Sequence, residues 1–240
     1  IKIMNTFILH YKPLVERKEY MDEQLKKLDM KAQYITEYDK EEMTDYDKEI
    51  FDYEKVWTNR TLYLSNSSLI SKHLEVYKRV VDNDFDFGLI IEDDVILSDD
   101  FKEKYYDYYK QLPENWDILF YGDGYGRNLH VPKKVIEEQG GNVFLKSHKG
   151  NGIKDREKNG WPVCAGASRC SDCYLISKKA AERILVQIKE IRRKKRERIF
   201  YPSDLWMNNL FRGLNFKVYW AEPTISTQGT ETGKWKSAHK

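Results

Sequence analysis

The sequence predicts an α/β fold: a single layered domain over residues 1–240, with a mixed, mostly parallel central sheet flanked by helices. Two observations predict it. Short apolar runs of strand length alternate with amphipathic stretches along the whole chain, the pattern of a sheet covered by helices. Phe87-Gly88-Leu89-Ile90-Ile91 is an unbroken apolar run, as expected of a central strand buried on both faces. The length of 240 residues suits one such domain and is ample for a real core. No internal repeat is present.

The elements follow in order. Ile3 to Tyr11 reads as a strand through Phe7, Ile8 and Leu9, stopped by Lys12-Pro13. Leu14, Met21, Leu25 and Leu28 then share one face of a helix whose other face carries Glu16, Arg17, Lys18, Glu23, Lys26 and Lys27. Tyr34 to Asp52 is acidic and tyrosine-rich without clear periodicity, which reads as a weak strand and a loop. Ser65-Asn66-Ser67-Ser68 offers N-caps for a helix whose apolar face holds Leu69, Ile70, His73, Leu74, Tyr77, Val80 and Val81. Asp82-Asn83-Asp84 ends it, and the central strand follows. Val95-Ile96-Leu97, a helix from Asp99 to Leu112, and a strand from Trp116 to Tyr121 come next. Residues 125–160 hold six of the thirteen glycines with weak periodicity, as expected of active-site loops. Tyr174-Leu175-Ile176 is a strand and Ser177 the N-cap of a long amphipathic helix marked by Ala180, Ala181, Ile184, Leu185, Ile188 and Ile191. Pro202-Ser203-Asp204 opens a helix through Phe211 with Gly213 as its stop, and Phe216 to Trp220 is the last strand.

Composition narrows the function. Lys and Arg number 41 against 39 Asp and Glu, a formal charge of +2, so neither a basic nucleic-acid binder nor an acidic tail protein is indicated. No apolar run approaches the roughly 18 residues of a membrane span. Cys164, Cys170 and Cys173, an odd number, exclude a disulfide-dense scaffold; their CxxC pair lacks the further ligands of a zinc site and reads as structural thiols or one disulfide. The first residue, Ile1, reads as that of a processed or excised piece, expected in the cytoplasm, or in the endoplasmic reticulum lumen if a signal has been removed. Oligomeric state is not specified by any pattern.

The chemistry concentrates in Leu89 to Val95. Glu92, Asp93 and Asp94 sit at the end of a buried strand, where open α/β sheets bind ligands. Three adjacent acids repel one another unless a cation or donors neutralise them, and oxygen ligands suit Mn²⁺ or Mg²⁺ shared with substrate phosphates. Asp45-Tyr46-Asp47, Asp84-Phe85-Asp86 and Asp99-Asp100 show how freely this chain makes acidic turns, so the position after the strand carries the reading. Arg192-Arg193-Lys194-Lys195-Arg196 with Arg198 reads as the polar end of an amphipathic helix, with an acidic acceptor or lipid surface as the alternative.

In this order the motifs resemble glycosyltransferase family 25, which contains lipooligosaccharide-type sugar transferases and collagen galactosyltransferases. The matching pieces are Phe7-Ile8-Leu9 with Lys12 and Arg17, Ser71 and His73, Glu92-Asp93-Asp94-Val95, Trp116-Asp117-Ile118-Leu119-Phe120-Tyr121-Gly122, Tyr174 to Ala181 with Ile184-Leu185, Pro202-Ser203-Asp204, and Glu222-Pro223 with Gln228. The chain departs from the family at Leu9-His10-Tyr11-Lys12 and around Asn66-Ser67. The resemblance implies a GT-A type fold, a UDP-sugar donor with galactose or glucose favoured, Mn²⁺ or Mg²⁺, inversion at the anomeric carbon, and a hydroxyl acceptor on collagen hydroxylysine or a glycan. Asp94 is then the direct metal ligand, while Glu92 and Asp93 are further candidates for the metal, a metal-bound water or the ribose. Lys12, Arg17, His73 and Gln228 are candidate donor contacts. Asp204 is the candidate base, against the plainer role of an acid at a helix start, and Asp172 is the second candidate. Trp161, Trp206 and Tyr125 are assigned no site. The non-enzymatic alternative is a soluble interaction domain that binds partners through its acidic and basic patches.

Overall fold

The computed structural model describes residues 4–54, 60–123, 131, 133–146 and 169–236. Strand and helix alternate as expected: β1 (Thr6–Leu9), α1 (Val15–Lys27), β2 (Gln33–Ile35), α2 (Asp45–Lys48), α3 (Arg60–Asp82), β3 (Phe87–Glu92), β4 (Val95–Leu97), α4 (Phe101–Lys110), β5 (Ile118–Phe120), α5 (Lys133–Gln139), β6 (Val143–Lys146), β7 (Cys173–Ser177), α6 (Lys178–Lys194), α7 (Ser203–Gly213), β8 (Val218–Ala221) and β9 (Ser226–Gln228). Seven strands form one mixed sheet in the order β2-β1-β3-β7-β5-β8-β6. β2, β1, β3, β5 and β8 run one way; β7 and β6 run against them. β4 and β9 pair separately, Val95 opposite Gln228.

The alternation of side chains along each strand divides the core between the two faces of the sheet. Phe7, Ile90, Phe120, Tyr174 and Trp220 face α3, α6 and α7. Ile8, Leu89, Ile91, Leu119 and Leu175 face Met21 and Leu25 of α1 and Phe101, Tyr105 and Tyr108 of α4. Because β3 is covered on both sides, only its carboxyl end reaches open space, and that end is Glu92.

Several expectations are corrected. α3 begins at Arg60, so Ser65-Asn66-Ser67-Ser68 lies within it rather than capping it. Ser67 donates to the Tyr63 carbonyl four residues back (2.9 Å), a bond available to serine inside a helix as well as at its start. Gly213 is the last helical residue and not a left-handed stop; Asn215 takes positive φ (52°) after it. Tyr34 to Asp52 includes the one-turn α2, with Thr44 and Asp47 in a capping box. The glycine-rich middle contains α5 and β6, not loops alone, and β6 is a sheet edge. Ser177 caps α6 as expected, accepting from Ala180 N–H (3.2 Å). Among the described residues, no helix is long and apolar enough to cross a membrane.

Candidate active site

Glu92, Asp93 and Asp94 are fixed first through their backbone. Glu92 N–H donates to the Asp172 carbonyl (2.8 Å), Asp93 N–H to the Leu9 carbonyl (3.1 Å), and Gly229 N–H to the Asp94 carbonyl (2.8 Å). The ends of β1 and β3, the start of β7 and the chain after β9 are thus tied together at one edge of the sheet. Beside them opens a cleft of about 970 Å³, which Arg17, Glu92, Asp93, Asp94, Asp204 and Gln228 all line. Six of the nine predicted site residues therefore converge. Lys12, His73 and Asp172 do not line it.

The three acids have different partners. Asp93 receives Arg17 Nη1 on Oδ1 (2.9 Å), while His10 Nδ1 (2.8 Å) and Tyr11 N–H (3.2 Å) meet Oδ2. Asp93 is thus a buried partner of both Arg17 and His10, and two of the predicted donor contacts, Arg17 and Asp93, are paired with each other. Glu92 accepts from Ser171 Oγ (2.6 Å). Asp94 accepts Thr230 Oγ1 on Oδ2 (2.7 Å), and its buried Oδ1 meets no hydrogen-bond donor among the described residues. Burial, then the neighbouring Asp94, pushes the Glu92 pKa well above the usual carboxylate range. Burial also raises that of Asp94, opposed first by the Thr230 hydroxyl and then by the charge of Arg17.

Asp172 lies behind this edge, 1% exposed, with neither side-chain oxygen hydrogen-bonded among the described residues. Burial and the charge of Asp94 push its pKa well up. It packs directly on Gly122, where a Cβ would fall 2.3 Å from Asp172 Oδ2. That close approach is why glycine stands there.

These acids sit where the motif order placed them, and a family model described as glycosyltransferase family 25 (LPS biosynthesis protein) matches residues 4–207. The chain belongs to glycosyltransferase family 25. Curated proteins give no significant match.

As a family 25 enzyme it acts on a sugar donor and an acceptor. The acid edge suits a divalent cation in one specific sense. Among the described residues no three His, Cys, Asp or Glu side chains group as a metal site. What the cleft wall contains is Asp94, with one buried carboxylate oxygen unpartnered among the described residues, next to Glu92. Mg²⁺ and Mn²⁺ are commonly held by one or two carboxylates plus substrate phosphates, so this hard-oxygen set fits such an ion.

Asp204 stands in the first turn of α7, and its Oδ1 accepts the Leu205 N–H (2.8 Å). His73 is fully buried behind Glu92. Its Nδ1 lies 2.8 Å from Tyr174 Oη, itself 2.6 Å from Tyr77 Oη, while Nε2 has no hydrogen-bond partner among the described residues and lies 3.9 Å from Glu92 Oε1. Burial pushes its pKa down to about 3, so the ring is neutral. Lys12 pairs with Glu42 and lies 3.8 Å from Asp39 outside the cleft. The cations that do line it, besides Arg17, are Lys40, Lys72 and Lys236. Lys72 is buried, donating to Asp39 Oδ1 (2.7 Å) and the Glu37 carbonyl (2.6 Å).

His10, Lys72, Ser171, Thr230 and Trp235 were not found from the sequence. His10 alone had a signal, since it follows apolar β1 as Glu92 ends β3. Cys170 and Cys173 are both buried, and Cys164, Trp161 and Tyr125 lie outside the described residues. Trp206 is core. The first half of the basic run is satisfied locally: Arg192 stacks on Tyr46 (3.9 Å), and Arg193 and Lys194 pair with Glu190 (2.8 and 3.2 Å).

Proposed function

We propose that this glycosyltransferase moves a hexose, galactose or glucose, from a UDP-sugar to a hydroxyl of a glycan or a collagen-like hydroxylysine, with inversion and with Mn²⁺ or Mg²⁺ as cofactor. The observation that carries the reading is Asp94: buried just after β3, tethered through one oxygen and, among the described residues, unpartnered at the other, in the wall of a cleft that Asp204 also lines. Asp94, with Glu92 beside it, would hold the ion, which when bound supplies Lewis-acid stabilisation to the diphosphate. Lys40 and Lys236 place positive charge around an anionic donor, while the charge of Lys72 is met by Asp39. Arg17 does so indirectly, by neutralising Asp93.

Inversion is a single displacement. The bond from the anomeric carbon to the phosphate oxygen breaks, the acceptor oxygen bonds to that carbon, UDP leaves, and the acceptor proton passes to Asp204. A half-buried carboxylate at the cleft wall suits that role. Asp172, enclosed away from the cleft, suits shaping the acid edge better than taking a proton from substrate.

The test is a panel of UDP-galactose, UDP-glucose and UDP-N-acetylglucosamine with and without Mn²⁺, together with UDP calorimetry. Metal-stimulated turnover of one donor is expected; no turnover and no UDP binding would overturn the reading. Asp204→Asn should keep UDP binding while transfer falls by about 10²-fold or more, the usual contribution of a general base. Asp94→Asn should lose the Mn²⁺-dependent part of UDP affinity.

A further inference from the structure

The segment Gly229–Lys236 lies beyond residue 207, outside the stretch that the family model matches, yet Thr230, Glu231, Trp235 and Lys236 all line the cleft. Two sets of contacts hold it. On the acid side, Gly229 N–H and Thr230 Oγ1 bond the carbonyl and Oδ2 of Asp94 (2.8 and 2.7 Å). On the α1 side, the Trp235 ring meets Tyr20 edge-on with centroids 5.6 Å apart, and Lys234 Nζ sits 3.5 Å over the Tyr20 ring. Arg17 Nη2 donates to the Lys236 carbonyl (2.7 Å).

Trp235 joins the two sets. Its backbone N–H donates to the Gly229 carbonyl (3.1 Å). A Cβ on Gly229 would fall 2.5 Å from both the Asp94 carbonyl and Trp235 Cδ1, so the indole packs directly on the backbone that grips Asp94. We propose that Trp235 is a positioning residue of the donor site: braced by Tyr20, it holds Gly229 and Thr230 against Asp94 and so fixes which oxygen of that carboxylate is left for a ligand. This rests on reading the cleft as the donor site.

The physical reason is rotational. A carboxylate bonded through one oxygen presents the other in a set direction, whereas a loosened Thr230 lets the group turn, and outer contacts of this kind are commonly worth about 10–100-fold in ligand or metal affinity. Tyr20 separates positioning from direct contact, because it does not line the cleft.

Full-chain Trp235→Ala, Tyr20→Ala, the double variant and Trp235→Phe should be compared in two ways: amide exchange at Gly229 without ligand, and UDP affinity with Mn²⁺. Both alanine variants are expected to speed Gly229 exchange and to weaken UDP about tenfold, as loss of an outer contact would. The double variant should be no worse than either single one, since the two residues act through one contact. Trp235→Phe should restore most of the affinity. If the wild type binds UDP and both alanine variants bind it equally well, or if Gly229 exchange is unchanged, the positioning role fails. If the wild type binds no UDP, the donor-site reading itself fails.

Discussion

The Arg17–Asp93 pair is almost closed to solvent, each side chain 8% exposed, and His10 shares the same carboxylate. Removing one partner of such a pair leaves a buried charge with reduced compensation, a loss of about 3–5 kcal/mol. Arg17→Met should therefore cost stability in that range by urea denaturation, and a loss under about 1 kcal/mol, the scale of an exposed pair, would show that Asp93 is not held as described. The same pair explains what the sequence could and could not say about the three acids. Their placement after an apolar strand was legible. Which of them stays available was not, because Asp93 is taken by residues 76 and 83 positions away, and one oxygen of Asp94 by a residue 136 positions away. No local pattern carries that information. It depends on where α1 and the segment after β9 come to rest.

At the scale of elements, boundaries are legible where local chemistry has one solution. Ser177 sits between a buried strand and an amphipathic helix, and its hydroxyl accepts from Ala180 N–H (3.2 Å). Ser177→Ala should cost about 1 kcal/mol. For a chain of this size that lowers Tm by about 2–4 °C, and an unchanged melting curve would mean the cap contributes nothing. Where the chemistry has two solutions the boundary was misplaced. Ser67 can cap a helix or bond the carbonyl one turn back, and in α3 it does the latter. β6 has short reach and one paired neighbour, β8, so its sequence carries no strong apolar signature: Phe144 is buried and Leu145 is 60% exposed. The weak periodicity of that region reflects an edge strand as well as loops.

For the whole molecule, the buried acids set a pH dependence. The pKa of Asp172 is raised on folding, so the native state holds its proton more tightly than the unfolded chain does. Its stabilising contribution is present below the unfolded carboxylate value of about 4 and is lost as pH rises toward the folded value. His73 acts oppositely: its depressed pKa costs stability as pH falls through about 6.5, the value of an unfolded histidine. Asp172→Asn removes the first effect and keeps the second. In metal-free buffer the variant-minus-wild-type difference in Tm should therefore rise from pH 5 to pH 8; a difference that stays constant or falls would contradict the enclosure of Asp172. The α/β class was legible because the alternation of strand and helix is a property of the whole chain, while the reversal of β7 and β6 was not, since direction within a sheet is decided by which strands meet. The order of strands in the sheet also governs assembly during synthesis. β3 gains its second neighbour, and β5 its first, only when residues 173–177 arrive, and the place of β8 between β5 and β6 stays vacant until residues 218–221 follow. A nascent chain stopped short of β7 carries an apolar strand with an open edge, so the enzyme passes through an association-prone stage on the ribosome that the finished sheet conceals.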